Sequence, residues 1–157
     1  MISSIRKFFE KNLQIDANSS HTTREARLPL ASAALMFEVL KSDTTVDRRE
    51  LDALMQVLQD RFKLDTKQLE QIMALAEDAS HHATSLYEFT SLINASYGYE
   101  ERVQLVENLW QIAFADKHID RHEDHIIRRI ADLVHVRHSD FIRTKLAVKA
   151  STMPQDQ

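Results

Sequence analysis

The chain has no cysteine, one glycine (Gly98), two prolines and one tryptophan among its 157 residues. Without cysteine there are no disulfides and no thiolate zinc sites, although this does not fix the compartment. A single glycine leaves few left-handed turns, so hairpin-rich β folds are disfavoured and helices are the economical choice. It also rules out a glycine-rich phosphate loop or dinucleotide fingerprint. No serine lies in a nucleophile-elbow context. No stretch approaches the roughly 20 apolar residues of a membrane span. The start, MISSIRKFFEKNL, lacks the continuous apolar segment of a signal peptide. A cytoplasmic location follows by default, with a peripheral place at the inner membrane as the alternative. The net charge of −4 is mild and names no partner.

What remains is ordinary for a soluble globular chain: 43% hydrophobic and 28% charged residues. This length suits one domain, which buries roughly 70% of its unfolded surface. Ile2, Ile5, Phe9 and Leu13 recur at helical spacing and predict a short amphipathic helix over 2–13. Asp16 to Glu25 is polar and aperiodic and reads as a linker. Apolar periodicity resumes near Leu28, with Pro29 suited to a first helical turn. Later starts carry a cap followed three residues on by Glu or Gln: Asp47/Glu50, Asp65/Gln68, Ser85/Glu88 and Asp120/Glu123. These signals predict helices near 28–41, 47–62, 66–80, 86–96, 99–115, 120–134 and 139–149. The organisation expected is an N-terminal helix and linker over 1–27, a helical domain over 28–150 and a disordered tail over 151–157.

The chain also repeats itself. DTTVDRRE (43–50) aligns with DKHIDRHE (116–123), placing Asp43 on Asp116, Asp47 on Asp120 and Glu50 on Glu123. Phe37 falls on Trp110 and Leu54 on Ile127. After a one-residue deletion, Leu64 falls on Val136 and Leu69 on Phe141. The expected fold class is therefore all-α: a compact bundle of about seven helices plus the N-terminal helix, built from two pseudo-symmetric helix-turn-helix repeats.

The two acidic turns, with LYEFTSLIN (86–94), YEERVQLVENLWQIAFAD (99–116) and HEDHIIRRIADLVHVRHSDFIRTK (122–145), resemble the TerB-like family, named for a tellurite-resistance protein, and especially its stand-alone bacterial branch. The resemblance spans Leu28 to Lys149. It implies a compact helical fold without known enzymatic activity, and an association of some relatives with metal-stress and membrane-linked functions. The family's turn reads A-D-G-x-[IV]-D-x-x-E. Its glycine is replaced here by Thr44 and Lys117.

Whether those turns hold a cation is a question of ligand arithmetic. A calcium-binding helix–loop–helix needs oxygens at positions 1, 3, 5, 7 and 9, glycine at 6 and a bidentate Glu at 12. Counting back from Glu123 puts Asp120 at 9, Ile119 at 8, Lys117 at 6 and Asp116 at 5. Positions 1 and 3 are then Ile112 and Phe114, or Val39 and Lys41 in the other copy. The front half is apolar, so this is not an EF-hand. Capping explains Asp47 and Asp120 first, with Glu50 and Glu123 completing the boxes and Val46 and Ile119 plugging the core. The weaker alternative is a divalent-cation site, of unspecified metal, from Asp43, Asp47 and Glu50 or from Asp116, Asp120 and Glu123, with His118 and His122 as further ligands.

His118, His122, His125, His135 and His138 form no HExxH-type motif and read as a solvated face. From His125 to Ala150, Arg128, Arg129, Arg137, Arg143, Lys145 and Lys149 outnumber Asp132 and Asp140. That patch suits an acidic protein, an anionic lipid or, with least support, nucleic acid. Phe37, Phe89, Trp110 and Phe141 occupy core spacings. The 2–13 helix has three docking options: its own domain, a second protomer or a membrane surface. The leading expectation is a non-enzymatic protein-interaction or scaffold module that requires no cofactor. A weak divalent-cation sensor comes second, and an enzyme using paired carboxylates third.

Overall fold

A computed structural model describes residues 20–41, 47–82, 85–115, 119 and 121–152, with side chains from residue 28 onward. Seven α-helices account for nearly all of these residues, and the described residues contain no strand. They are α1 (Ser20–Leu40), α2 (Arg48–Phe62), α3 (Thr66–His82), α4 (Tyr87–Ser96), α5 (Tyr99–Ala113), α6 (Arg121–Leu133) and α7 (His138–Thr152). The expected 2–13 helix lies outside the described residues.

The organising element is α1. Every residue from Leu30 to Met36 is fully buried, as are Val39 and Leu40. A helix that is apolar all round belongs inside a bundle, and α1 packs against α2, α3, α4, α5 and α6. Ala31, Ala33 and Ala34 have almost no side chain to hold neighbours off, so those helices can approach closely. The remaining helix, α7, packs on α5 and α6. Trp110 of α5 sits 5.2 Å from Phe141 of α7 and 6.0 Å from Phe114, ring centre to ring centre.

Two sequence expectations fail at the start of α1. The polar segment read as a linker is already helical from Ser20, and Pro29 stands in the helix interior rather than its first turn. Pro29 removes one backbone donor, the N–H that would reach the carbonyl of residue 25. Residues 20–28 contain no glycine or proline, so nothing local ends the helix before it. At the other end, α7 runs to Thr152 and takes two residues from the expected tail.

The helix joints recur at constant offsets. α1 ends at Leu40 and α2 begins at Arg48; α5 ends at Ala113 and α6 begins at Arg121, each 73 residues later. α3 and α7 begin 72 apart, at Thr66 and His138. The residues with left-handed backbone, Lys63 (φ 52°) and His135 (φ 58°), are also 72 apart. After α6 the His135 N–H donates to the Asp132 carbonyl and the Val136 N–H to the Ala131 carbonyl, the paired bonds of a Schellman end. Gly98, by contrast, has φ −75°, so its conformation is open to any residue.

Capping follows the sequence in part. Asp65 and Gln68 form a full reciprocal box at α3, at 2.8 and 3.1 Å. Asp47 caps α2 by accepting the Arg49 N–H at 2.7 Å. Ser85 does not cap α4: Leu86 holds that position, without a side-chain cap, and its carbonyl accepts from Phe89 and Thr90. An apolar residue can stand there because Leu86 is buried in the core. Glu101 instead reaches back to the Gly98 N–H at 3.1 Å, a half-box at α5 that the sequence reading missed.

Candidate functional site

Of the six acids nominated for a cation, the structure describes Asp47, Glu50 and Glu123; Asp43, Asp116 and Asp120 lie outside the described residues. Asp47 is engaged by Arg49, which donates through its backbone N–H at 2.7 Å and through Nε and Nη2 at 3.2 Å each. The Arg49 side chain, then its backbone N–H, hold the Asp47 carboxyl below the usual carboxylate range. Glu50 and Glu123 behave differently. Each is third in its helix and about 1% exposed. Each is inside the protein, whereas a solvated cap glutamate would lie on the surface. Ile119 packs against the core as expected of a plug, and Val46 lies outside the described residues. Among the described residues, no three acids, histidines or cysteines are gathered closely enough to hold a metal.

A second feature went unforeseen because its residues are far apart in sequence. Where the end of α1 meets α2 and α3, a cleft of about 300 Å³ opens, lined by Phe37, Leu40 and Leu51 with Lys41, Glu77 and His81. A part-buried polar strut braces one wall. Lys41 Nζ donates to the Ser80 carbonyl at 2.7 Å and lies 3.0 Å from Glu38, while Ser80 Oγ donates to Glu38 at 2.9 Å. Phe37 is only partly buried because it faces this cleft, whereas Trp110, Phe89 and Phe141 are in the core as expected.

The C-terminal cations are less uniform than the sequence suggests. Arg143 pairs with Asp140 at 3.1 Å and Lys145 with Asp124. Arg137 lies over the Tyr99 ring at 4.9 Å and Arg128 over Phe141 at 5.5 Å. Asp140 also accepts from the Tyr99 hydroxyl, and that bond, followed by Arg143, keeps its carboxyl below the ordinary range. Arg129 and Lys149 are exposed, as are His122, His125, His135 and His138. His118 lies outside the described residues.

Other long-range polar ties join helix ends to neighbouring helices. Asn94 donates to the Leu133 carbonyl at 2.9 Å and Arg102 to the Val134 carbonyl at 3.0 Å, together closing the end of α6. Arg61 joins α2 to α5 through Asn108 at 2.9 Å. Helical periodicity reports the apolar face and carries no signal for such pairs.

Among the described residues, no helix is long and apolar enough to cross a membrane. No curated protein and no solved structure matches the chain. A family model does match, over residues 29–146, and it is that of the tellurite resistance protein TerB. The match takes in α2 to α6 whole, with most of α1 and α7, so the chain belongs to the TerB family.

Proposed function

We propose that this TerB-family domain is a non-enzymatic protein-interaction or scaffold module. The observation that carries the reading is the cleft between α1, α2 and α3. An apolar floor of Phe37, Leu40 and Leu51 open at a surface rimmed by Lys41, Glu77 and His81 suits an apolar side chain of a partner protein, flanked by charge of both signs. Tyr87 and Leu146, 68% and 57% exposed, add apolar contact elsewhere. The family's name supports a metal-stress setting for the module; on this reading residues 2–13 make a peripheral membrane contact and self-association is a further mode. A photo-crosslinker at Lys41 should capture one protein, and Leu51→Glu should abolish the adduct. Identical adducts from a crosslinker at Gln104, on exposed α5 surface, would remove the cleft from the account.

The second reading, a weak divalent-cation sensor, draws on the burial of Glu50 and Glu123, each of which follows an acidic segment in the sequence. Calorimetry with Ca²⁺, Mg²⁺, Mn²⁺ and Zn²⁺ separates the two readings. The module reading expects no binding tighter than micromolar and melts unchanged by EDTA. Cation binding that raises the melting temperature and disappears in Glu123→Gln would establish the sensor.

A further inference from the structure

α6 and α7 form an antiparallel pair: Asp124 bonds Lys145, and one turn further along α6, Arg128 covers Phe141. The exposed ionisable residues of α6 are Arg121, His122, His125, Arg128, Arg129 and Asp132, with one acid among them, at the far end. Across the seam stand exposed His138 and Lys149. Over 121–152 the chain carries seven Lys and Arg against four Asp and Glu. Of those acids, Glu123 is buried and Asp124 and Asp140 are paired.

The molecule supplies its own control for whether these cations are structural. By the offsets of the helix joints, the α2/α3 pair corresponds to α6/α7. Its residues at the places of His125, Arg128 and Arg129 are Asp52, Met55 and Gln56. At the places of Asp124 and Lys145 stand Leu51 and Met73, partly buried against the core, and Leu69 stands in for Phe141. The first-half pair thus carries apolar side chains, Leu51, Met55, Leu69 and Met73, at the places of Asp124, Arg128, Phe141 and Lys145. Packing does not demand Arg128 or Arg129, whereas Arg121 has a cationic counterpart in Arg48.

We propose that the outer seam of α6 and α7 is a docking face for a carboxylate-bearing segment of a partner protein. Arg128 lies against the Phe141 ring, so its planar fork is held in place and its N–H edges can meet both oxygens of one carboxylate. Arg121, His125 and Arg128 follow one another by four and three residues, rising about 6 and 4.5 Å. A partner helix with Glu at i, i+4 and i+7 matches that ladder. Nucleic acid fits less well, because the rings of this face, Phe141 and Trp110, are buried beneath Arg128 and Lys145 and offer no stacking platform. A lipid surface has one large apolar anchor here, Leu146. Exposed charge pairs contribute little each, so the complex is weak, transient and salt-sensitive.

The inference deepens the interaction-module reading on a surface separate from the cleft. The test uses the full chain and a fluorescent helical peptide with Glu at i, i+4 and i+7, beside its Glu→Gln twin. Anisotropy should show the Glu peptide bound about tenfold tighter than the twin at low salt. Arg128→Met with Arg129→Gln, the first-half residues at those places, should erase the difference without lowering the melting temperature. Arg121→Gln with Arg129→Gln, which touches no ring contact, repeats the test if the first variant is destabilised. Leu51→Glu, which disables the cleft, should leave peptide binding intact, so failure of the cleft is separable from failure of the seam. Undiminished binding in both variants overturns the proposal. So does tighter binding of equimolar phosphatidylserine/phosphatidylcholine vesicles, lost in Leu146→Gln, or of single-stranded DNA, lost in the arginine variants. Self-association lost in the same variants would give the face to a second copy and likewise overturn it.

Discussion

Glu50 and Glu123 stand 73 residues apart, each third in its helix and each about 1% exposed. An acid at that position normally lies at the surface, where it reaches back to the cap. Here both side chains are inside, so each is tied to its surroundings. Each takes part in a polar, ionic or other electrostatic contact there, which removing the carboxylate abolishes. Glu123→Ala should cost about 1–3 kcal/mol, and Glu50→Ala the same. Glu123→Gln, which keeps shape and hydrogen-bonding capacity, should cost less. Urea melts decide it, and equal losses for Gln and Ala would mean the carboxylate charge itself is what the site uses.

Trp110 is fully buried against Phe141 and Phe114. Trp110→Ala should cost about 3–5 kcal/mol, the range for deleting a core aromatic. A loss under about 1 kcal/mol in denaturant melts would contradict its place in the core.

Lys63 and His135 hold left-handed backbone that glycine adopts freely. Lys63→Gly and His135→Gly should each raise stability by about 0.5–1 kcal/mol, relief of left-handed strain set against glycine's larger unfolded-state entropy. Lower melting temperatures for both would show that side-chain contacts at these corners outweigh the strain.

At α3 the Asp65–Gln68 box is complete, whereas Ser85 makes no cap at α4. Asp65→Ala should therefore cost about 1 kcal/mol, and Ser85→Ala should stay within about 0.5 kcal/mol of the parent. Thermal melts that reverse this order would restore the cap read from the sequence.

Asp140 has its carboxyl lowered by the Tyr99 hydroxyl and then by Arg143. A carboxylate lowered in the folded state contributes stability that is present above its unfolded value, about 3.9, and is lost as pH falls through the lower folded value. Tyr99→Phe removes the larger cause, so the stability this pair adds near neutrality should shrink and the variant's acid limb should flatten below about pH 4. Parallel pH-stability curves for the two proteins would show that Asp140 is held by Arg143 alone.

The seven helices and most of their ends were legible in the sequence because each is a local matter. Apolar spacing marks the buried face, Asp47 and Asp65 mark starts, and the shortage of glycine removes the β alternatives. The helix ends that flank the 43–50 and 116–123 segments recur 73 residues apart. Only tertiary structure showed that α1 is the central helix, since its Ala-rich run reads the same on a half-exposed helix until five neighbours surround it. It alone brought Phe37, Leu51 and His81 to one cleft, joined Asn94 and Arg102 to the end of α6, and turned Glu50 and Glu123 inward. It also divided the C-terminal cations between those paired with Asp124 and Asp140 and those left facing solvent. Such contacts depend on where helices distant in sequence come to rest. Periodicity along one helix states which face turns inward, but not what that face will meet.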